Sequence, residues 1–215
     1  MLLQIPPMAP GESIARGVRL GINWVWSPLP VAITAADLAL LSPTERARAT
    51  NFAAPRRYLE YVAARAMLRR TLGAALGIAP PALEIDVDAF GKPQSPAAGV
   101  QFNLSHSAGG LLIGWGNTPL GVDLEAAARR PRHIARVRIV ADVRDALGVD
   151  LIVAFTLVEA AAKALGRGIG VLRGLRLDGV VSADEVRLVS PGGVLLNAAR
   201  VPVPDVYAGA VAAPV

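Results

Sequence analysis

Asp123 and Glu125 stand two residues apart in Gly121-Val122-Asp123-Leu124-Glu125. On a strand, alternate residues share a face, so both carboxylates point one way while Val122 and Leu124 point into a core. Paired carboxylates repel unless a cation lies between them, and hard oxygen ligands suit Mg²⁺. A solvated edge strand of alternating polarity has the same pattern. Glu159 and Lys163 form a second pair, in Phe155-Thr156-Leu157-Val158-Glu159-Ala160-Ala161-Ala162-Lys163-Ala164. One helical turn apart, a carboxylate and an ammonium can serve as base or metal ligand and as charge stabiliser or acid. Two structural readings compete: a capping box made by Thr156 and Glu159, and a surface ion pair. Against both stands the apolar setting, Leu151 to Leu165.

Two further segments carry polar groups at turns. Asn103-Leu104-Ser105-His106-Ser107 precedes Ala108-Gly109-Gly110, and hydroxyls, an imidazole and a tight turn can cradle a phosphate. A Ser–His nucleophile is a poor alternative, because strand neighbours point to opposite faces. Phe90-Gly91-Lys92-Pro93 is a turn whose lysine can reach a phosphate or simply sit at the surface. Of 22 basic residues only two are lysine, Lys92 and Lys163, and both fall in these segments.

The positioning elements form an α+β pattern. Strands are expected over 22–26, 83–87, 101–105, 111–115, 120–125, 175–181, 185–189 and 206–211. Helices are expected over 35–41, after the Ser42-Pro43-Thr44-Glu45 capping signal, over 56–76, over 134–147 and from about Thr156 to Leu165. Two lobes are expected, 1–100 and 101–215.

The chain has 215 residues and no cysteine, which excludes disulfides and thiolate metal sites. Met1 to Gly11 lacks the basic start of a signal peptide. The uncharged run Leu20 to Ala36 is too short for a membrane span and contains Pro28 and Pro30. A cytoplasmic protein is expected. The formal net charge is +5, with seven arginines against two acids from Glu45 to Arg70 and six against one Asp from Arg129 to Arg144. Such patches suit phosphates or acidic proteins, or are solvated helix faces. They lack the interleaved aromatics of a single-stranded nucleic-acid surface.

In order and together, these motifs resemble the larger, pseudo-dimeric (surfactin-synthetase-activating) type of 4′-phosphopantetheinyl transferase. The resemblance rests on Phe90-Gly91-Lys92-Pro93, Phe102-Asn103-Leu104-Ser105-His106-Ser107, Gly121-Val122-Asp123-Leu124-Glu125, and Glu159-Ala160 with Lys163-Ala164 before Gly166 and Gly168. It covers roughly residues 40 to 170. It implies a fold of two similar lobes, each with an antiparallel sheet packed on a long helix, working as a monomer. It also implies transfer of 4′-phosphopantetheine from coenzyme A to a serine of an acidic acyl or peptidyl carrier protein. Asp123, Glu125 and Glu159 would hold Mg²⁺, with Glu159 and Lys163 catalytic. Arg56, Lys92, Asn103, Ser105, His106 and Lys163 would bind coenzyme A. The chain departs from the family at Val158, where a lysine is usual, at Phe155, where Trp is frequent, and in lacking a Phe/Ser-Pro-Glu element between Glu125 and Phe155. A relative that binds coenzyme A without turnover is the alternative reading.

Overall fold

The computed structural model describes residues 14–87, 92–95, 99–129, 137–166 and 169–215. Phe90, Gly91, Gly168, residues 1–13 and the start of the expected helix 134–147 lie outside them. Within them the chain is mixed α+β, with antiparallel sheets and several helices. It begins with a hairpin, β1 (Ala15–Arg19) and β2 (Ile22–Pro28). Leu20 and Gly21 turn it with φ of 53° and 72°, the two left-handed residues that a tight hairpin needs. Three helices follow: α1 (Ala35–Leu40), α2 (Pro43–Thr50) and α3 (Pro55–Leu76). The capping box at Ser42 and Glu45 is present, and Gly77 closes α3 in the left-handed conformation.

The expected strand over 83–87 is reduced to β3 (Asp86–Val87), which pairs with β4 (Pro93–Gln94). β5 (Gln101–Ser107) and β6 (Gly110–Gly116) form a hairpin, and β7 (Gly121–Ala126) follows. Then come α4 (Arg138–Leu147), α5 (Leu151–Ala164) and a 3₁₀ turn at Ile169–Gly174. The chain ends with β8 (Arg176–Ser182), β9 (Glu185–Val189), β10 (Leu195–Arg200) and β11 (Tyr207–Pro214).

The first sheet has the order β1-β2-β6-β5 and the second β7-β11-β10-β9-β8. Residues 101–116, assigned above to the C-terminal lobe, therefore complete the first sheet. Division by sheets falls between Gly116 and Gly121. Hydrogen bonding along β2 and β6 binds these strands to residues far earlier in the chain, which strand propensity cannot register.

Each sheet packs on one long helix. α3 places Ala63, Ala64, Leu68 and Leu72 on Val25, Phe102, Leu111, Ile113 and Trp115 of the first sheet. α5 is buried on nearly every side, against α4 and the second sheet, which explains its lack of a polar face. A third apolar layer joins the sheets: Ile22, Trp24, Trp26 and Leu112 meet Val122, Leu124 and Val211. Arg19 adds ion pairs to Asp184 at 2.9 Å and Glu185 at 3.0 Å on the second sheet.

α5 begins at Leu151, one turn earlier than expected, with Asp150 at its N-cap position. Thr156 is thus inside the helix, where its hydroxyl donates to the Ile152 carbonyl at 2.7 Å. The capping-box reading of Thr156 and Glu159 is therefore excluded.

One close approach governs the site. A Cβ on Gly121 would lie 2.1 Å from the Ala160 carbonyl oxygen, 2.5 Å from the Ala164 nitrogen and 2.8 Å from the Lys163 Cβ. β7 thus lies directly on α5, and only glycine facing alanines permits it. Gly121→Ala should lower stability by about 1–3 kcal/mol or more, because backbone atoms cannot yield to the methyl group. Calorimetric melting should show a Tm several degrees below the parent chain. An unchanged Tm would contradict this packing.

Candidate active site

Gly121, Asp123 and Glu125 share the face of β7 that looks onto α5. The Gly121 contact sets the spacing between strand and helix, and Glu159 and Lys163 project from the same stretch of α5. One carboxylate oxygen from each of Asp123, Glu125 and Glu159 lies within 4.8 Å of the others. Asp123 and Glu125 are 1% and 6% exposed, so they are not a solvated edge.

Lys163 is the central cation. Its Nζ donates to Asp123 Oδ1 at 2.6 Å and to Ser105 Oγ at 3.1 Å, and lies 3.7 Å from Glu159 Oε1. Ser105 in turn donates to Asp123 Oδ1 at 2.9 Å. Lys163 is therefore no surface partner of Glu159. Its side chain is only 26% exposed, and its shortest contact is to Asp123. Removing it would leave a buried carboxylate without its counter-ion, which costs far more than losing an exposed i,i+4 pair. Arg129 pairs with Glu125 Oε1 at the outer rim. Asp123 Oδ2 is buried and has no hydrogen-bond partner among the described residues.

Burial pushes the Glu159 carboxyl up to about 7, with the Asp123 charge adding to the effect and Lys163 opposing it. Burial works against the Lys163 ammonium, but the Asp123 and Glu159 charges outweigh it and hold its pKa above that of an ordinary lysine.

The other expected residues divide between the two faces of β5. Asn103 and Ser105 face β7: Asn103 Oδ1 accepts the Val122 N–H at 3.0 Å, and Ser105 joins the carboxylates. Lys92 reaches the same region, where its Nζ donates to the carbonyls of Leu120 and Lys163, both at 3.4 Å. His106 and Arg56 instead line a groove of about 680 Å³ between α3 and β5. The turn after Ser107 is a two-residue hairpin with Ala108 and Gly109 at φ of 47° and 83°. Its carbonyls accept bonds from Tyr207 Oη at 2.9 Å and the Leu29 amide at 2.7 Å.

Within the arginine-rich region the structure separates two roles that composition could not. Arg69 is fully buried and binds Glu45 at 2.7 Å and the carbonyls of Pro80 and Leu83. Arg70 pairs with Asp37, and Arg46 donates to the Leu41 carbonyl. Arg48, Arg57 and Arg65 join Arg56 in the groove. Arg65 lines the groove although the sequence did not single it out. It lies over the Tyr61 ring, beside Glu45 at 3.8 Å, and its Nη1 is buried with no hydrogen-bond partner among the described residues. Its signal was only helical spacing from Arg57, two turns away on the same side of α3.

Fold and site together define an α+β protein with a largely buried cluster of three carboxylates and a lysine where two antiparallel sheets meet. Over 92 residues the chain is 38% identical to the 4′-phosphopantetheinyl transferase HetI of Nostoc sp. (strain PCC 7120 / SAG 25.82 / UTEX 2576). The match covers 40% of this chain and 39% of that relative's length. No family model matches the chain. Over that stretch the chain is similar to a 4′-phosphopantetheinyl transferase, and it spans about two fifths of that relative's length.

A carboxyl raised by burial binds its proton in the folded chain at a pH where the unfolded chain has lost it. Folded stability therefore falls as pH rises from about 4.5 toward 7. Without divalent ions, Glu159→Gln should melt higher than the parent chain at pH 8, and the gap should shrink toward pH 5. Equal gaps at both pH values would show that Glu159 titrates normally.

Proposed function

We propose that this chain transfers 4′-phosphopantetheine from coenzyme A to a serine of an apo acyl or peptidyl carrier protein, with Mg²⁺, releasing 3′,5′-ADP. The observation that carries this reading is the convergence of Asp123, Glu125, Glu159 and Lys163. The residues fit a magnesium ion: three hard oxygen donors lie within reach of one another, and Asp123 Oδ2 has no hydrogen-bond partner among the described residues. When bound, the ion would neutralise charge on the pyrophosphate of coenzyme A.

The chain's own residues supply the rest. A carboxyl poised near 7 suits Glu159 to take the proton of the carrier serine at neutral pH. The serine oxygen forms its bond to the pantetheine-side phosphorus as the bond from that phosphorus to the 3′,5′-ADP oxygen breaks. Lys163 stabilises the charge that grows on this leaving phosphate. The arginine groove and His106 take the nucleotide phosphates, while Lys92, Asn103 and Ser105 hold the strand–helix junction beside the pyrophosphate. An acidic carrier suits the basic surface. The enzyme is of the larger pseudo-dimeric type, with two lobes, and works as a cytoplasmic monomer. Among the described residues no helix is long and apolar enough to cross a membrane.

Val158 favours one second reading, a relative that binds coenzyme A without turnover and acts as a basic binding module. It lies on α5 and is fully buried in the core, so no cation reaches the site from the position where the resemblance leads one to expect it. Mass spectrometry of an apo carrier protein incubated with coenzyme A, Mg²⁺ and this chain separates the two. The transferase adds one phosphopantetheinyl group to the carrier, and the binding module leaves its mass unchanged. Lys163→Ala, compared at equal folded fraction, should cut kcat by ~10²-fold, and Lys163→Arg should recover only part of it. Full turnover in the alanine variant would remove Lys163 from the chemistry.

Groove binding has its own test. Arg65→Ala should weaken coenzyme A binding in calorimetry by roughly 10-fold or more, the effect of losing one charge-assisted hydrogen bond. Unchanged affinity would place the nucleotide elsewhere.

A further inference from the structure

β5 and β7 are edge strands of different sheets, and side chains connect them. Asn103, Ser105 and Ser107 alternate along one face of β5, and each reaches β7. Asn103 accepts the Val122 N–H at 3.0 Å, Ser105 donates to Asp123 at 2.9 Å, and Ser107 donates to Glu125 Oε2 at 3.2 Å. Ser107 is held from both sides, because its Oγ also accepts the Ala126 N–H at 3.2 Å. That bond uses a lone pair of the hydroxyl and leaves its proton aimed at Glu125.

Glu125 itself lies between two donors. Ser107 takes Oε2 and Arg129 takes Oε1. These donors differ in stiffness. Ser107 sits in a paired strand, opposite Gly110 of β6, whereas the Arg129 side chain is long and 48% exposed. A glutamate has three rotatable bonds, so the donor on the stiffer element fixes its carboxylate more narrowly. Ser107 also lines the arginine groove, at the point where groove and carboxylate cluster adjoin.

We propose that Ser107 is a positioning residue that fixes the Glu125 carboxylate toward Asp123 and Glu159 and so sets the affinity of the cluster for a divalent cation. The inference rests on the metal reading given above. Partners one bond removed from a metal ligand typically change affinity ~10–100-fold when lost.

The test is a titration of the whole chain with Mn²⁺ alone, followed by water-proton relaxation, beside a melting curve for each variant. Ser107→Ala should bind Mn²⁺ about 10-fold more weakly while remaining folded, and Ser107→Thr, which keeps the hydroxyl, should restore the affinity. Arg19→Ala serves as the structural comparison, since it loosens the contact between the sheets far from the carboxylates. It should melt lower and bind Mn²⁺ like the parent. Parent-like affinity in Ser107→Ala overturns the proposal. So does an equal loss in Arg19→Ala, which would mean that any loosening of the two sheets weakens the site. If the parent chain itself binds no Mn²⁺, the metal reading fails, and this proposal with it.

Discussion

Three carboxylates with oxygens within 4.8 Å of one another, two of them almost wholly buried, are the constraint around which this molecule is arranged. At that separation each pair of ionised groups repels by on the order of 3 kcal/mol, even at an effective dielectric of about 20. The chain answers with Lys163 in the middle, Arg129 at the rim and hydroxyl donors from β5. The answer is incomplete. Glu159 keeps its proton up to about 7, and one Asp123 oxygen has no donor among the described residues. A site left with spare negative charge and a spare lone pair is a site suited to a further cation.

Holding such a cluster in place demands rigid backbone on every side. β7 presses onto α5 where Gly121 meets the alanines of the helix, and no larger residue fits there. On the opposite face of β7, Val122 enters a space on β6 that is open because residue 114 is glycine; a Cβ there would lie 2.5 Å from Val122 Cγ1. The strand is thus gripped by a helix on one side and by the other sheet on the other. Small residues at two positions convert a common strand–helix contact into a junction where i and i+2 of the strand meet i and i+4 of the helix.

The arginines follow the same economy. Some are spent within the first sheet's helices, where Arg69 ties α3 to Glu45 and to two carbonyls. Of the seven from Glu45 to Arg70, Arg48, Arg56, Arg57 and Arg65 line the groove along α3, close to the face of β5 opposite the carboxylates. β5 therefore separates a positive groove from a negative cluster, presenting His106 to one and Ser105 to the other, with Ser107 touching both. A ligand that carries several phosphates and needs a metal at one of them matches that division of charge.

Local chemistry in the sequence determined much of this. The alternation in Gly121 to Glu125 put both carboxylates on one face, the spacing of Glu159 and Lys163 put them on one turn, and the Ser42–Glu45 capping box was legible from four residues. These are short-range consequences of strand and helix geometry. The helix start at Leu151 was less legible, because Thr156 and Glu159 imitate a cap and an apolar first turn carries no signal of its own. The strands β1 and β10 went unread, since Ala15–Arg19 and Leu195–Arg200 become strands through the neighbours they pair with. Only the tertiary structure decided that β5 and β6 join the first sheet, that Lys163 neutralises Asp123, and that Arg65 rather than Arg69 faces the groove. Each of these depends on which distant segment comes to lie alongside. Long-range packing settles that, and no spacing within a segment encodes it.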